Sequence, residues 1–308
     1  MTALIADPIC KQHHTGRGHP ERPERFDAAL GALEGLNLLR LPARFANEDE
    51  LALCHSRRYV RTAEREVHDG HGELSTGDTV ISARSFDAAC VAAGAVMNAV
   101  DCVVSGEATN AFCLNRPPGH HATPDRGMGF CLFNNIAVGA RYAQKKHGIG
   151  PVLIADWDVH HGNGTQDIFY DDGSVFFFST HQYPWYPGTG AAEETGYGKG
   201  EGWTLNCPFP AGSGRQEILG AFEEKLLPAL EKVKPELVMI SAGFDSRQDD
   251  PLGDFLLTDG DFADLTRVLL EIADKYAGGR VVSALEGGYN LPGLAAAVRA
   301  HVEALGRA

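Results

Sequence analysis

The sequence predicts an α/β domain, a mostly parallel sheet flanked by helices. Two observations carry this. Short apolar runs end repeatedly at polar clusters, and between them lie segments whose apolar residues recur every three or four positions. The 308 residues, 44% of them hydrophobic, also suffice for one large core, so residues 1–308 are taken as a single domain.

The elements follow in order. Between Ser85 and Val104, Phe86, Ala89, Ala93, Val96, Val100 and Val103 mark one buried helical stripe, and a strand at Ala111–Leu114 follows. Val152–Ala155 reads as the next strand. Ile218, Phe222, Leu226, Leu230 and Val233 predict a helix ahead of a strand at Leu237–Ile240. Phe262, Leu265, Leu269, Ile272 and Tyr276 repeat the pattern; Gly278 and Gly279 suit the helix C-cap, and Val281–Leu285 reads as a further strand. The Gly-rich span Gly188–Gly202 is expected to be an ordered loop.

Composition narrows the function. A formal net charge of −14 disfavours nucleic acid and anionic membranes as partners and mildly attracts cationic ligands. The seven cysteines (Cys10, Cys54, Cys90, Cys102, Cys113, Cys131, Cys207) form no CxxC pair, and their odd number argues against a disulfide framework. No uninterrupted apolar stretch approaches bilayer-spanning length, and the first residues lack a basic head followed by a long apolar run, so a cytoplasmic protein is expected. The oligomeric state stays open, a homo-oligomer included.

In open parallel sheets, ligands bind outside the carboxyl ends of strands. Four such ends carry unusual chemistry: Asn115 to His121, Asp156 to Gly164, Ser241 to Asp245 and Glu286 to Asn290. Asp158 and His160 are two apart, so an extended segment points both to one side, where they can reach one ion. Asp245 is the best third ligand, with Gly243 permitting a sharp turn beside it. One imidazole and two carboxylates leave a coordination position open, the pattern of a catalytic zinc rather than a structural one. An isolated Asp-x-His is more often a hydrogen-bonded loop pair. Its companions change that: adjacent His120 and His121 can share a water, and Asp156 and Asn163 can orient them. Tyr289, after two glycines, either packs or reaches a developing oxyanion.

Together RPPGHHA (Arg116 to Ala122), GFCLFNN (Gly129 to Asn135), DWDVHHGNGT (Asp156 to Thr165), AGFD (Ala242 to Asp245) and EGGYN (Glu286 to Asn290) resemble the histone-deacetylase family. They stand in family order, and with HPERPER (His19 to Arg25) the resemblance covers almost the whole chain. The wording around Trp157 and Asn163 is similar to the class II branch and its bacterial homologues. The resemblance implies the arginase/deacetylase fold, a three-layer α/β/α domain. It implies zinc on Asp158, His160 and Asp245, His120 supported by Asp156, His121 supported by Asn163, and Tyr289 as catalytic tyrosine. His121 would take the proton of the attacking water and Tyr289 would hydrogen-bond the oxyanion.

The resemblance further implies an acyl-lysine tunnel at Phe130 and Tyr186 with Gly129 beside them, a rim residue at Asp78, and Arg25 near an internal exit channel. Potassium would bind through Asp156, Asp158, His160 and the Ser179–Thr180 segment, with a second site at the carbonyls of Phe169, Asp172 and Val175. Family members preferring acetylated polyamines carry a gatekeeper glutamate where this chain has Leu252. The expected partner is therefore an acylated amine, acyl-lysine ahead of an acetylpolyamine. Iron or cobalt would fit the same ligands. The two-manganese ureohydrolases of the same fold need a further set of aspartates, whereas AGFDS has one. A noncatalytic acyl-amine binder is the alternative of another class; the histidine pair and Tyr289 argue against it.

Overall fold

Strands that are apolar on both faces need cover on both sides, and the strands of this chain are of that kind. The computed structural model describes residues 1–306; the last two residues of the expected domain lie outside the described residues. The strands are β1 (Thr2–Ile5), β2 (Leu39–Leu41), β3 (Asn110–Cys113), β4 (Val152–Asp156), β5 (Val175–Gln182), β6 (Thr204–Phe209), β7 (Leu237–Ala242) and β8 (Val281–Leu285). They form one sheet in the order β2-β1-β3-β8-β7-β4-β5-β6, and every pairing is parallel. β1, β2, β5 and β6 add to the four strands expected from apolar runs.

Alternation along each strand divides the core in two. Ile154, Phe177 and Met239 face a layer containing the helices Arg57–His68, Ser85–Ser105 and Asn135–His147. Leu153, Ala155, Phe176, Phe178, Val238 and Ile240 face the opposite layer, with helices Glu24–Ala32, Asp259–Tyr276 and Leu291–Leu305. The architecture is thus three-layered, as expected.

One expectation is adjusted. The helix anticipated around Ile218 to Val233 is α-helical at Arg215–Ala221 and Leu227–Val233 but widens to a π-helical turn at Phe222–Leu226. Pro228 supplies the reason, since it has no N–H to donate and its ring crowds the preceding turn. The helix Ser85–Ser105 has 21 residues and a mean hydropathy of 1.7 over its most apolar 18, but Asp87, Asn98 and Asp101 interrupt it, so it is no uninterrupted apolar stretch. Of that apolar window 78% is buried, so the helix packs in the core.

Chain direction places the site. From β4 the sheet grows through β5 to β6 on one side, while β7 leads to β8 on the other. The carboxyl ends of β4 and β7 therefore flank a topological switch point, where loops diverge and leave a crevice. The four motif-bearing ends belong to β3, β8, β7 and β4, consecutive in the sheet.

Candidate active site

β4 ends at Asp156, and the chain then bends rather than continuing as the extended segment expected. The N–H of Asp158 donates to Asp156 Oδ1 (3.0 Å) and that of His160 to Asp158 Oδ1 (2.9 Å). Short acidic side chains capping their own following backbone favour such bends. The result still brings Asp158 and His160 together, and Asp245, following β7, joins them with ligand atoms all within 4.8 Å of one another. His160 Nδ1 lies 3.0 Å from Asp158 Oδ1 and 3.1 Å from Asp245 Oδ2.

The second oxygens of these carboxylates are held by backbone: Gly287 N–H donates to Asp158 Oδ2 (2.8 Å) and Val159 N–H to Asp245 Oδ1 (2.9 Å). Glycine is required at two points. A Cβ on Gly243 would sit 2.1 Å from Asp158 Oδ2, and one on Gly287 2.1 Å from Asp245 Oδ2. The charges point the same way as the shape. Burial and the neighbouring Asp158 raise the Asp245 carboxyl to about 7. Burial opposes charge on His160, yet Asp158 and Asp245 outweigh it and raise the imidazole to about 10. Two buried carboxylates and an imidazole nitrogen in a cradle that a Cβ would fill fit a divalent cation with an open position.

The turn after β3 carries His120 and His121, whose ring centroids are 4.0 Å apart. His120 Nδ1 lies 3.0 Å from Asp156 Oδ2, and His121 Nδ1 lies 2.8 Å from Asn163 Oδ1. With acceptors at both Nδ1 positions, each ring turns Nε2 towards the site. Burial and the adjacent His120 and His160 push His121 well below its ordinary value; for His120, Asp158 and Asp156 outweigh burial and push it well above. Glu286 belongs to the EGGYN motif, but the sequence suggested no role for it. It accepts from the N–H groups of Gly119 (2.6 Å) and His120 (3.2 Å) and fixes the turn bearing the pair.

His121, His160 and Tyr289 share a 280 Å³ cavity with Asp78, Gly129, Phe130, Trp185, Tyr186 and Leu252. The expected tunnel and rim residues are thus brought together. Asp78 joins two walls, accepting from Gly129 N–H (2.7 Å) and the Tyr186 hydroxyl (3.1 Å). Gly129 has φ +56°, and a Cβ there would meet His121 Cδ2 at 2.3 Å, so only glycine lets the wall approach the histidine. Trp185 was missed; its indole N–H donates to Leu252 O (2.9 Å), linking two segments of the mouth. Its signal was present, an exposed aromatic in the proline-punctuated run Tyr183 to Pro187.

The histone deacetylase domain matches residues 19–305. The chain belongs to the histone deacetylase family. It is 43% identical over 92% of its length to histone deacetylase 10, chloroplastic, of Oryza sativa subsp. japonica, spanning 69% of that protein. It is also 43% identical, over 99% of its length, to polyamine deacetylase HDAC10 of Homo sapiens, of which it spans 46%. The crystal structure of the HDA15 HD domain superposes with a TM-score of 0.94 at 37% identity, covering 99% of this chain and 89% of the other.

In this family member Arg25 is fully buried, donating from Nε to Gly288 O and from Nη2 to Glu286 O (each 2.6 Å), its guanidinium 4.9 Å from the Tyr289 ring centroid. It fixes the turn that presents Tyr289. Of the residues expected to hold potassium, Asp156 and Ser179 are register partners on β4 and β5. Among the described residues, the buried Thr180 hydroxyl has no hydrogen-bond partner, which suits a cation close by. Phe169, Asp172 and Val175 follow one another across the connection into β5. The Asp172 carboxylate is engaged by Arg141 (2.5 Å), leaving backbone carbonyls for any second cation.

Proposed function

We propose that the chain is a zinc-dependent amide hydrolase that removes an acyl group from an acylated amine, acyl-lysine in particular. One observation carries this reading: the clustered Asp158, His160 and Asp245 lie where His121 and Tyr289 border a largely apolar cavity. Bound there, zinc would polarise the acyl carbonyl and acidify a water molecule.

The chain's own residues supply the rest. His121, neutral and with Nδ1 committed to Asn163, has Nε2 free to take the water proton and return it to the leaving amine. His120, charged and anchored on Asp156, stabilises developing negative charge. Burial and Asp245 push the Tyr289 phenol well above its ordinary value, keeping it a donor for the oxyanion. Potassium at Asp156, Asp158, His160, Ser179 and Thr180 would brace the carboxyl end of β4.

Leu252 on the cavity wall supports acyl-lysine, because it offers no anion to a second ammonium, as a polyamine would need. Seven free, buried cysteines agree with a cytoplasmic setting. The test is a hydrolysis panel of acetyl-lysine peptide, longer acyl-lysines and acetylputrescine on zinc-reconstituted protein with a chelator control. Chelator-sensitive release of acid from the peptides supports the reading; faster turnover of acetylputrescine moves the substrate to polyamines. Tight binding without hydrolysis makes the protein a binder instead.

A further inference from the structure

An enzyme acting on lysine side chains also meets the polypeptide that carries them, so a docking surface for that polypeptide rests on the acyl-lysine reading of the site. The net charge is −14, yet four exposed arginines gather beside the cavity mouth. Arg58, Arg61 and Arg65 lie on the helix Arg57–His68 at spacings of three and four, forming one stripe. With Ser75 and Thr76 opposite, they line an open groove of 890 Å³. Arg126 occupies the turn leading to the tunnel wall, close enough for its charge to act on the Tyr186 phenol.

Their charges are largely uncompensated. Arg61 is paired with Glu48 at 2.9 Å, but among the described residues Arg58, Arg65 and Arg126 have no carboxylate within 4.0 Å. Of the groove's two acids, Glu66 is buried and already accepts from Ser75 N (2.9 Å) and Oγ (2.5 Å), while Asp125 is exposed. One loop joins groove to mouth. Gly127 N–H donates to Thr76 Oγ1 (3.3 Å) and Gly129 N–H to Asp78 Oδ1 (2.7 Å), so a groove wall and the cavity rim are two residues apart.

We propose that this arginine track docks an acidic segment of a protein substrate, flanking the acyl-lysine held in the tunnel. An extended chain advances about 3.5 Å per residue, so acidic residues several positions from the lysine would meet the arginines. A long polyanion such as nucleic acid is repelled by the whole molecule, whereas a short tethered segment feels the local charge within a screening length of about 8 Å.

The test uses the zinc-loaded protein and three acetyl-lysine substrates: a peptide with glutamates placed three to six residues away on either side, its glutamine counterpart, and acetyl-lysine amide. At low salt the glutamate peptide should exceed the glutamine peptide by about tenfold in kcat/KM, through KM, for two or three surface pairs. The advantage should shrink with added salt. It should be lost in Arg58→Gln/Arg65→Gln and weakened in Arg126→Gln, both of which should turn over acetyl-lysine amide at the wild-type rate. Equal constants for the two peptides, or an advantage that survives in the variants, overturns the proposal. Anisotropy of the labelled peptides reads docking separately from turnover. If nothing is hydrolysed the catalytic reading fails, while docking still stands or falls on whether the glutamate peptide binds wild type and not the double variant. A labelled single-stranded RNA binding more tightly than the peptide would overturn it in favour of nucleic acid.

Discussion

Two buried charge clusters flank Tyr289, and they are balanced in opposite ways. On one side Glu21 pairs with Arg25 (3.0 Å) and Arg116 (2.9 Å), and carbonyl oxygens of Cys10, His13, Glu286 and Gly288 accept from further guanidinium N–H groups. Burial alone would raise Glu21, but Arg116 and Arg25 outweigh it and hold its carboxyl below the usual range. On the other side Asp156, Asp158, Asp245 and Glu286, all fully buried, meet imidazoles, backbone N–H groups and the Ser241 hydroxyl, and among the described residues no guanidinium or ammonium hydrogen-bonds to them. Arginine is always charged, so the first cluster carries its own cations, two against the one carboxylate; the second holds negative charge that only an added cation or protons can balance. The difference separates a structural ion cluster from a site that awaits a ligand.

Asp245→Asn breaks that difference most sharply. It removes a metal ligand and also the surplus charge, so zinc stoichiometry should fall towards zero and deacylase kcat/KM by roughly 10³ or more. Chemical unfolding of the metal-free variant should show unchanged or increased stability, because a repulsive carboxylate is gone. Glu21→Gln should do the converse, leaving two buried guanidinium groups without an anion and costing about 3–5 kcal/mol in urea unfolding. Zinc loading of whatever folds should survive. If the two variants behave alike, the clusters do not differ in kind.

Much of this was legible in the sequence. The residues of the unbalanced cluster sit in contiguous strings such as Asp156 to Asn163, so strand-end position and ligand spacing exposed them. The strand–helix alternation gave the layers, because the strands needed are short apolar runs between periodic helices. What escaped reading is what depends on contacts between distant segments. Glu21 meets Arg116 across 95 positions and Trp185 meets Leu252 across 67. Glu286 acts by gripping backbone N–H groups of another loop, which no local spacing announces. β2 and β6 are weakly patterned, edge or partly exposed strands. The bends after Asp156 escaped because an Asp-x-His string serves equally as strand or capped turn.

Tyr289 stands between the two clusters, stacked on Arg25 and open to the cavity, and separates their roles functionally. Tyr289→Phe keeps the ring over the guanidinium and removes only the hydroxyl. Stability and zinc content should therefore match wild type, while kcat falls at least tenfold and about 100-fold if one oxyanion donor is lost. Unchanged turnover would show the tyrosine to belong to the packed cluster alone.

Acid should reveal the balanced side of the comparison through stability. His13 beside Glu21 is lowered to about 4, chiefly by burial, and His55 to about 4 and His301 to about 3 for the same reason. Each is neutral when folded but binds a proton when unfolded once the pH drops below its ordinary 6.5. In that window the unfolded state holds more protons, so stability falls with falling pH, by about 1.4 kcal/mol per unit for each imidazole. Three together approach about 4 kcal/mol per unit below pH ~6. Glu21 adds its loss only further down, below its ordinary 4.5, because its folded value is depressed. His301 bonds Thr266 Oγ1 (2.6 Å) and Ser283 Oγ (2.9 Å), neither of them a metal ligand. His301→Gln should lower stability overall yet flatten the slope between pH 6 and 4 by about 1.4 kcal/mol per unit, read from urea midpoints across that range. A slope unchanged in the variant would mean that His301 takes up its proton within the fold, and burial would then not govern these histidines.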